Sequence, residues 1–141
     1  MTTEQEKEIR EHIKLLIETY QIEGERMSIP ELINLRTQLV TWNASLSTVV
    51  SRRRRDSQLA YVFRRYMVAH SKNSLIKNSM SIGQADAQSI VDNKTSYDNE
   101  VEKENEAFET DLLWRSVNKI DDAIAQQVSW MKTEELKSRN T

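Results

Sequence analysis

The chain has 141 residues, 38% of them hydrophobic and 30% charged, with two glycines, one proline, no cysteine and a formal net charge of -2. This length suits one domain, and an apolar share below the roughly 45–50% of ordinary globular chains argues against a large round core. So few turn-formers exclude a many-stranded sheet, and the lack of cysteine excludes disulfides, thiolate metal sites and a cysteine nucleophile.

The N-terminal stretch MTTEQEKEIREHIKLL is charged where a signal peptide needs its apolar segment, and no run of 18 apolar residues follows anywhere. A soluble, cytoplasmic protein that does not use a membrane is the expectation. Thr3 with Glu6 reads as a capping box that opens a short acidic helix over residues 1–27. Ile9, Ile13, Leu16 and Tyr20 give it one apolar stripe, and Gly24 is its stop.

Ser28, Pro30 and Glu31 form a second start signal, for a long helix over 28–79. Leu32, Leu35, Leu39, Trp42, Leu46 and Val49 follow a three-four alternation, the seam of a coiled coil or narrow helical bundle. Arg53 and Asp56 occupy the next seam positions, and Ala60, Phe63 and Met67 resume it. With no glycine or proline between Glu31 and Asn78, the helix is expected to continue through this polar layer.

The second half of that helix is strongly basic. Between Ser51 and Asn78 stand Arg52, Arg53, Arg54, Arg55, Arg64, Arg65, Lys72 and Lys77 against one acid, Asp56, with Tyr61, Phe63 and Tyr66 threaded among them. Like charges along one helix repel unless solvated or neutralised, so this run needs a partner. Four consecutive arginines turn through more than a full circle, so they cannot all face one acidic neighbour. Arg52, Arg55 and Arg65 with Lys72 are read as a ridge able to follow a phosphate backbone, and Tyr61 and Tyr66 as platforms for unstacked bases. The alternative is that the cations pair with acids of this chain or of a neighbouring subunit while the aromatics pack in a core.

A turn is expected at Asn78–Gln84, with Ser81 and Gln84 as a third capping pair, and then one helix over 82–137. Its apolar face is read as Ile90, Tyr97, Val101, Phe108 and Leu112, passing to Leu113, Val117, Ile120, Ile124, Val128 and Met131. Residues 86–111 hold nine acids against Lys94 and Lys103, a net of -7 that equals the +7 of the basic run. Folding back at the turn would bring Arg64 and Arg65 near Asp98, and Arg52 to Arg55 near Glu109 and Asp111.

Signals of catalysis are nearly nil. His12 and His70 stand alone, no phosphate loop or nucleophile elbow occurs, and the Glu-x-x-His pairs of a carboxylate metal bundle are missing, so no enzyme, metal or cofactor is expected. Trp42, Trp114 and Trp130 fall on or beside apolar stripes, which suits core packing or a subunit contact.

The segments RRRRDSQLAYVFRRYM and KIDDAIAQQVSWMK, in a chain of this length with a short first helix, resemble the small helical recombination mediators of bacteriophages. That resemblance implies a ring-forming homo-oligomer that binds single-stranded DNA and helps load a recombinase in place of single-strand-binding protein. It implies strand contacts at Arg52 to Arg55, Arg64 and Arg65, and a last helix that serves oligomerisation. The chain departs from the family in having no glycine-rich loop directly after the basic helix. The interface residues expected are Trp42, Leu46, Ile124, Val128 and Trp130.

The sequence predicts a single all-α domain, an elongated helical bundle with a long antiparallel hairpin, working as an oligomer that binds single-stranded nucleic acid. The alternative is a structural or adaptor protein whose charged helices drive oligomer or virion assembly.

Overall fold

The computed structural model describes residues 2–140. These form four α-helices with no strand among them: α1 (Thr3–Glu23), followed by a 3-10 turn (Gly24–Arg26), α2 (Ile29–Lys77), α3 (Ile82–Asp92) and α4 (Lys94–Arg139). They divide into two compact units, one of Met1–Val50 with Thr110–Thr141 and one of Ser51–Glu109.

Capping chemistry fixes most helix ends. Thr2 rather than Thr3 caps α1: the Gln5 N–H donates to Thr2 Oγ1 at 3.1 Å while the Thr2 N–H donates to Gln5 Oε1 at 2.8 Å. This is the expected reciprocal box moved one residue towards the terminus, and it leaves Glu6 buried. Gly24 is needed for space rather than for an unusual dihedral, since a Cβ there would stand 2.8 Å from the Tyr20 ring. That ring is held in place, because Tyr20 Oη donates to Gln127 Oε1 at 2.9 Å and Gln127 Nε2 donates to the Gly24 carbonyl at 2.8 Å.

α2 runs unbroken through its polar layer, as its lack of glycine predicts. It ends in a Schellman arrangement: the Met80 N–H donates to the Leu75 carbonyl and the Ser79 N–H to the Ile76 carbonyl. Ser79 takes the left-handed position, φ 73°, that glycine usually fills. Ser81 then caps α3 by accepting from the Gln84 N–H.

The single helix expected over 82–137 is interrupted at Asn93. The Asn93 side chain is buried and its Nδ2 donates to the Ser89 carbonyl at 2.7 Å, a local bond that competes with the helical ladder. One short helix and one long one result.

The first unit has a hydrocarbon core. Ile9, Ile13 and Leu16 of α1, Leu32, Leu35, Leu39, Leu46, Val49 and Val50 of α2, and Val117 and Ile124 of α4 join Met27 in one buried cluster. Each such large side chain contributes about 1.5–3 kcal/mol by leaving water. Trp42, Trp114, Val128 and Met131 pack against the cluster, and the His12 ring stacks on Trp42 with centroids 4.2 Å apart. Arg36 Nε donates to Asp121 Oδ1 at 2.8 Å near its edge, and that bond raises the arginine pKa above its ordinary value.

The second unit is built differently. Its buried apolar residues among those described are Ala60 and Ala85, while eleven large apolar side chains, including Phe63, Val101 and Phe108, are exposed. The face of α3 and α4 expected from Ile90, Val101 and Phe108 is therefore the outer one. The inner face carries Ala85, Ser89, Asn93 and Glu100, which are small or polar. Phe63, placed in the seam from sequence, also lies exposed, whereas Ala60 is buried as expected and Met67 is partly covered.

Candidate nucleic-acid interface

The basic half of α2 lies in the second unit, and its geometry begins with which cations that unit uses internally. Arg64 Nε donates to Glu100 Oε2 at 2.7 Å and its Nη2 to Oε1 at 3.2 Å, a two-pronged bond with side chains 19% and 9% exposed. The guanidinium also lies over two rings, 4.8 Å from the Tyr97 centroid and 5.1 Å from that of Tyr61. Such forked, partly desolvated pairs are stronger than ordinary surface ion pairs.

The electrostatics agree. Hydrogen bonds from Arg64 hold the Glu100 carboxyl below its ordinary value against the opposing effect of burial, with the Arg64 charge acting in the same direction as the bonds. The same hydrogen bond raises Arg64.

Two further cations are engaged in the same way. Arg53 Nη1 donates to Glu106 Oε2 at 2.7 Å, and Lys72 Nζ lies 2.9 Å from Asp86 Oδ1. Lys103 stands 3.5 Å from the same Glu106 oxygen. The partners are nested in sequence, 53 with 106, 64 with 100 and 72 with 86. Arg64 meets Glu100, two residues beyond the Asp98 expected from counting outward from the turn, and Arg53 meets Glu106.

Arg52, Arg54, Arg55 and Arg65 are exposed. Arg52 and Arg54 each also make a contact within the chain. Arg65 Nη1 donates to Tyr61 Oη at 3.3 Å, and its guanidinium lies 5.7 Å from that ring's centroid. Tyr61 is 42% exposed and Tyr66 64%. Tyr66 stacks loosely on His70, with centroids 6.1 Å apart.

Helical spacing sorts these side chains into two outward faces. Arg54, Gln58, Tyr61 and Arg65 recur at intervals of four, three and four residues and share one face; Arg55, Leu59, Val62 and Tyr66 repeat the pattern one residue on. Of the expected ridge, Arg52, Arg55 and Arg65 are exposed and Lys72 is paired with Asp86, while on the first of these faces Arg54 and Arg65 flank Tyr61. A cation, an aromatic plane and a second cation along one exposed line can follow a phosphate backbone while a base rests on the ring.

Of the residues expected at a subunit interface, Leu46 and Ile124 are fully buried in the first unit's own core, and Trp42 and Val128 pack against it. Trp130 is 65% exposed. Sequence reasoning does not pair Glu100 and Tyr97, which fix Arg64, with that arginine. The signal that marks their face is the run Ala85, Ser89, Asn93, Ser96, Glu100, Lys103, Ala107 and Thr110, a three-four alternation of mostly small or polar residues.

No known protein-family model, curated protein or solved structure matches the chain. No helix among the described residues is long and apolar enough to cross a membrane.

Proposed function

We propose that the chain is a non-enzymatic accessory protein that binds single-stranded nucleic acid along the Arg54–Tyr61–Arg65 face of α2, in DNA recombination or replication. Arg55 and Tyr66 lie beside that face on the same helix and extend it. The observation that carries the reading is the exposed Tyr61 with the Arg65 guanidinium against it. The fold commits Arg53, Arg64 and Lys72 to carboxylates, yet Arg65 has its recorded bond to a tyrosine hydroxyl. In this reading the second unit is an antiparallel helical hairpin, whose nested ion pairs hold α2 rigid so that the outer arginines are presented without a large ordering cost.

Self-association belongs to the same reading, as does the role of a bacteriophage recombination mediator acting in the host cytoplasm beside a recombinase and single-strand-binding protein. What supports it is the pattern of basic helix, interleaved tyrosines and C-terminal amphipathic helix. A second reading, a structural or adaptor protein, is favoured by the forked Arg64–Glu100 bond, which shows basic and acidic helices satisfying each other.

The test is a titration of the full chain against a labelled single-stranded oligonucleotide and a duplex of equal length, at low and moderate salt. Salt-sensitive, single-strand-preferring binding that Arg65→Glu and Tyr61→Ala weaken supports the first reading. No binding to either at low salt overturns it in favour of the second.

A further inference from the structure

We infer that copies of this chain associate through the second unit, the outer face of α2 on one copy docking against the outer face of α4 on the next. The inference rests on the self-association part of the reading above, and its α2 stripe shares Arg55 and Tyr66 with the edge of the proposed nucleic-acid face.

Its starting point is a deficit. A compact unit of 59 residues that buries Ala60 and Ala85 while exposing eleven large apolar side chains hides little hydrocarbon. Exposed apolar surface of this extent, when continuous along an element, marks a contact with another molecule. On α2 it is continuous: Leu59, Val62, Phe63 and Tyr66 fall three, one and three residues apart, so they make one stripe. On α4, Val101 and Phe108 stand seven residues apart, the same distance along the helix as Leu59 and Tyr66, with exposed Glu104 and Asn105 on the turn between them.

Charge selects the occupant. The α2 stripe is preceded on its own face by Arg52 and Arg55, and α2 carries no acid from Ser57 to its end. The α4 pair is flanked by exposed Asp98, Glu102, Glu104 and Glu109. Two α2 stripes brought together would oppose cation-rich helices, and two α4 faces would oppose acids; one of each complements both apolar surface and charge. Within one copy, α2 already meets acids from α4 through Arg53 and Arg64. The proposed contact repeats that chemistry between copies, on the faces turned away from the internal pairs. Because the two faces differ, the contact is head-to-tail, and every copy carries both halves of it.

The experiment uses two full-length variants and analytical ultracentrifugation over a range of concentrations, with circular dichroism to confirm equal helicity. Val62→Glu/Phe63→Glu alters the α2 face and Val101→Glu/Phe108→Glu the α4 face; all four side chains are more than half exposed. The introduced charges have the same sign, so the altered faces repel each other. Wild-type chain is expected to self-associate, each variant alone to do so about tenfold or more weakly, and an equimolar mixture to form a one-to-one dimer through the remaining intact pair of faces. A mixture that stays monomeric, or an α4-face variant that assembles like wild type, overturns the proposed faces while leaving self-association standing. A wild-type chain that is monomeric throughout overturns self-association itself, whatever the oligonucleotide titration shows.

Discussion

Arg64 grips Glu100 with two hydrogen bonds, 2.7 and 3.2 Å long, while its guanidinium lies against the rings of Tyr61 and Tyr97. In a unit with so little buried hydrocarbon this pair is a main structural contact. Glu100→Gln keeps the shape and removes the charge, and is expected to destabilise the second unit by about 2 kcal/mol, the scale of a hydrogen bond to a charged group. Hydrogen exchange of amides in residues 51–109 reads it; unchanged protection would show that the pair contributes nothing.

The same pair sets a pH dependence. The Glu100 carboxyl titrates lower in the folded chain than when unfolded, because Arg64 bonds to its ionised form. Its stabilisation is therefore complete above the ordinary carboxylate value of about 4.3 and is lost as pH falls through the depressed folded value. Urea melts followed downwards from pH 6 should show a loss in wild type that is smaller in Glu100→Gln. Parallel pH profiles for the two proteins would refute the assignment.

The arginines should separate into two classes. Arg53→Glu replaces a cation bonded at 2.7 Å to Glu106, so it is expected to lower the melting temperature. Arg65→Glu touches no carboxylate bond recorded in the structure and is expected to leave the melt unchanged within about 0.5 kcal/mol. Under the nucleic-acid reading it should nonetheless weaken oligonucleotide binding and flatten its salt dependence by roughly one phosphate contact. Equal effects of the two substitutions on melting would erase the distinction.

Ser79 holds a left-handed conformation at the end of α2 with φ 73°. Ser79→Gly removes the steric cost of that conformation, about 1–2 kcal/mol for an L-residue, and adds some backbone entropy to the unfolded chain. A net gain of about 0.5–1 kcal/mol is expected by chemical denaturation, and a loss would mean that the serine side chain does more than its backbone position indicates.

Leu39 and Phe108 offer a contrast between the units. Leu39→Ala opens a cavity in the first unit's core and is expected to cost about 3 kcal/mol, whereas Phe108→Ala, at 63% exposure, should change the stability of the isolated copy by no more than about 0.5 kcal/mol. Urea denaturation of both variants at low protein concentration compares them directly.

Much of the first unit was legible because its residues obey one rule. Leu32, Leu35, Leu39, Trp42, Leu46 and Val49 alternate at three and four residues; the five aliphatic ones are buried and Trp42 packs against them. The same rule fails in the second unit, where it makes Ile90, Val101 and Phe108 the inward face because they are apolar, yet all three are exposed. There the inner positions are filled by Ser89, Asn93 and Glu100, whose burial rests on local hydrogen bonds and ion pairs that periodicity in hydrophobicity does not register. The opposed charges of the two runs were readable, and so was the meeting of basic with acidic residues. The register was not, because counting outward from the turn selects Asp98, and the helix face carrying Asn93, Ser96 and Glu100 selects a partner two residues further on.

The alanine and serine lining of the second unit also bears on how that unit responds to temperature. Heat capacity on unfolding scales with the apolar surface uncovered. A unit that conceals little of it has little to uncover, so its opening carries a small heat-capacity change and a shallow stability curve. Its sensitivity lies instead in ionic strength, through Arg53, Arg64 and Lys72, while the leucine core of the first unit responds chiefly to heat and cold.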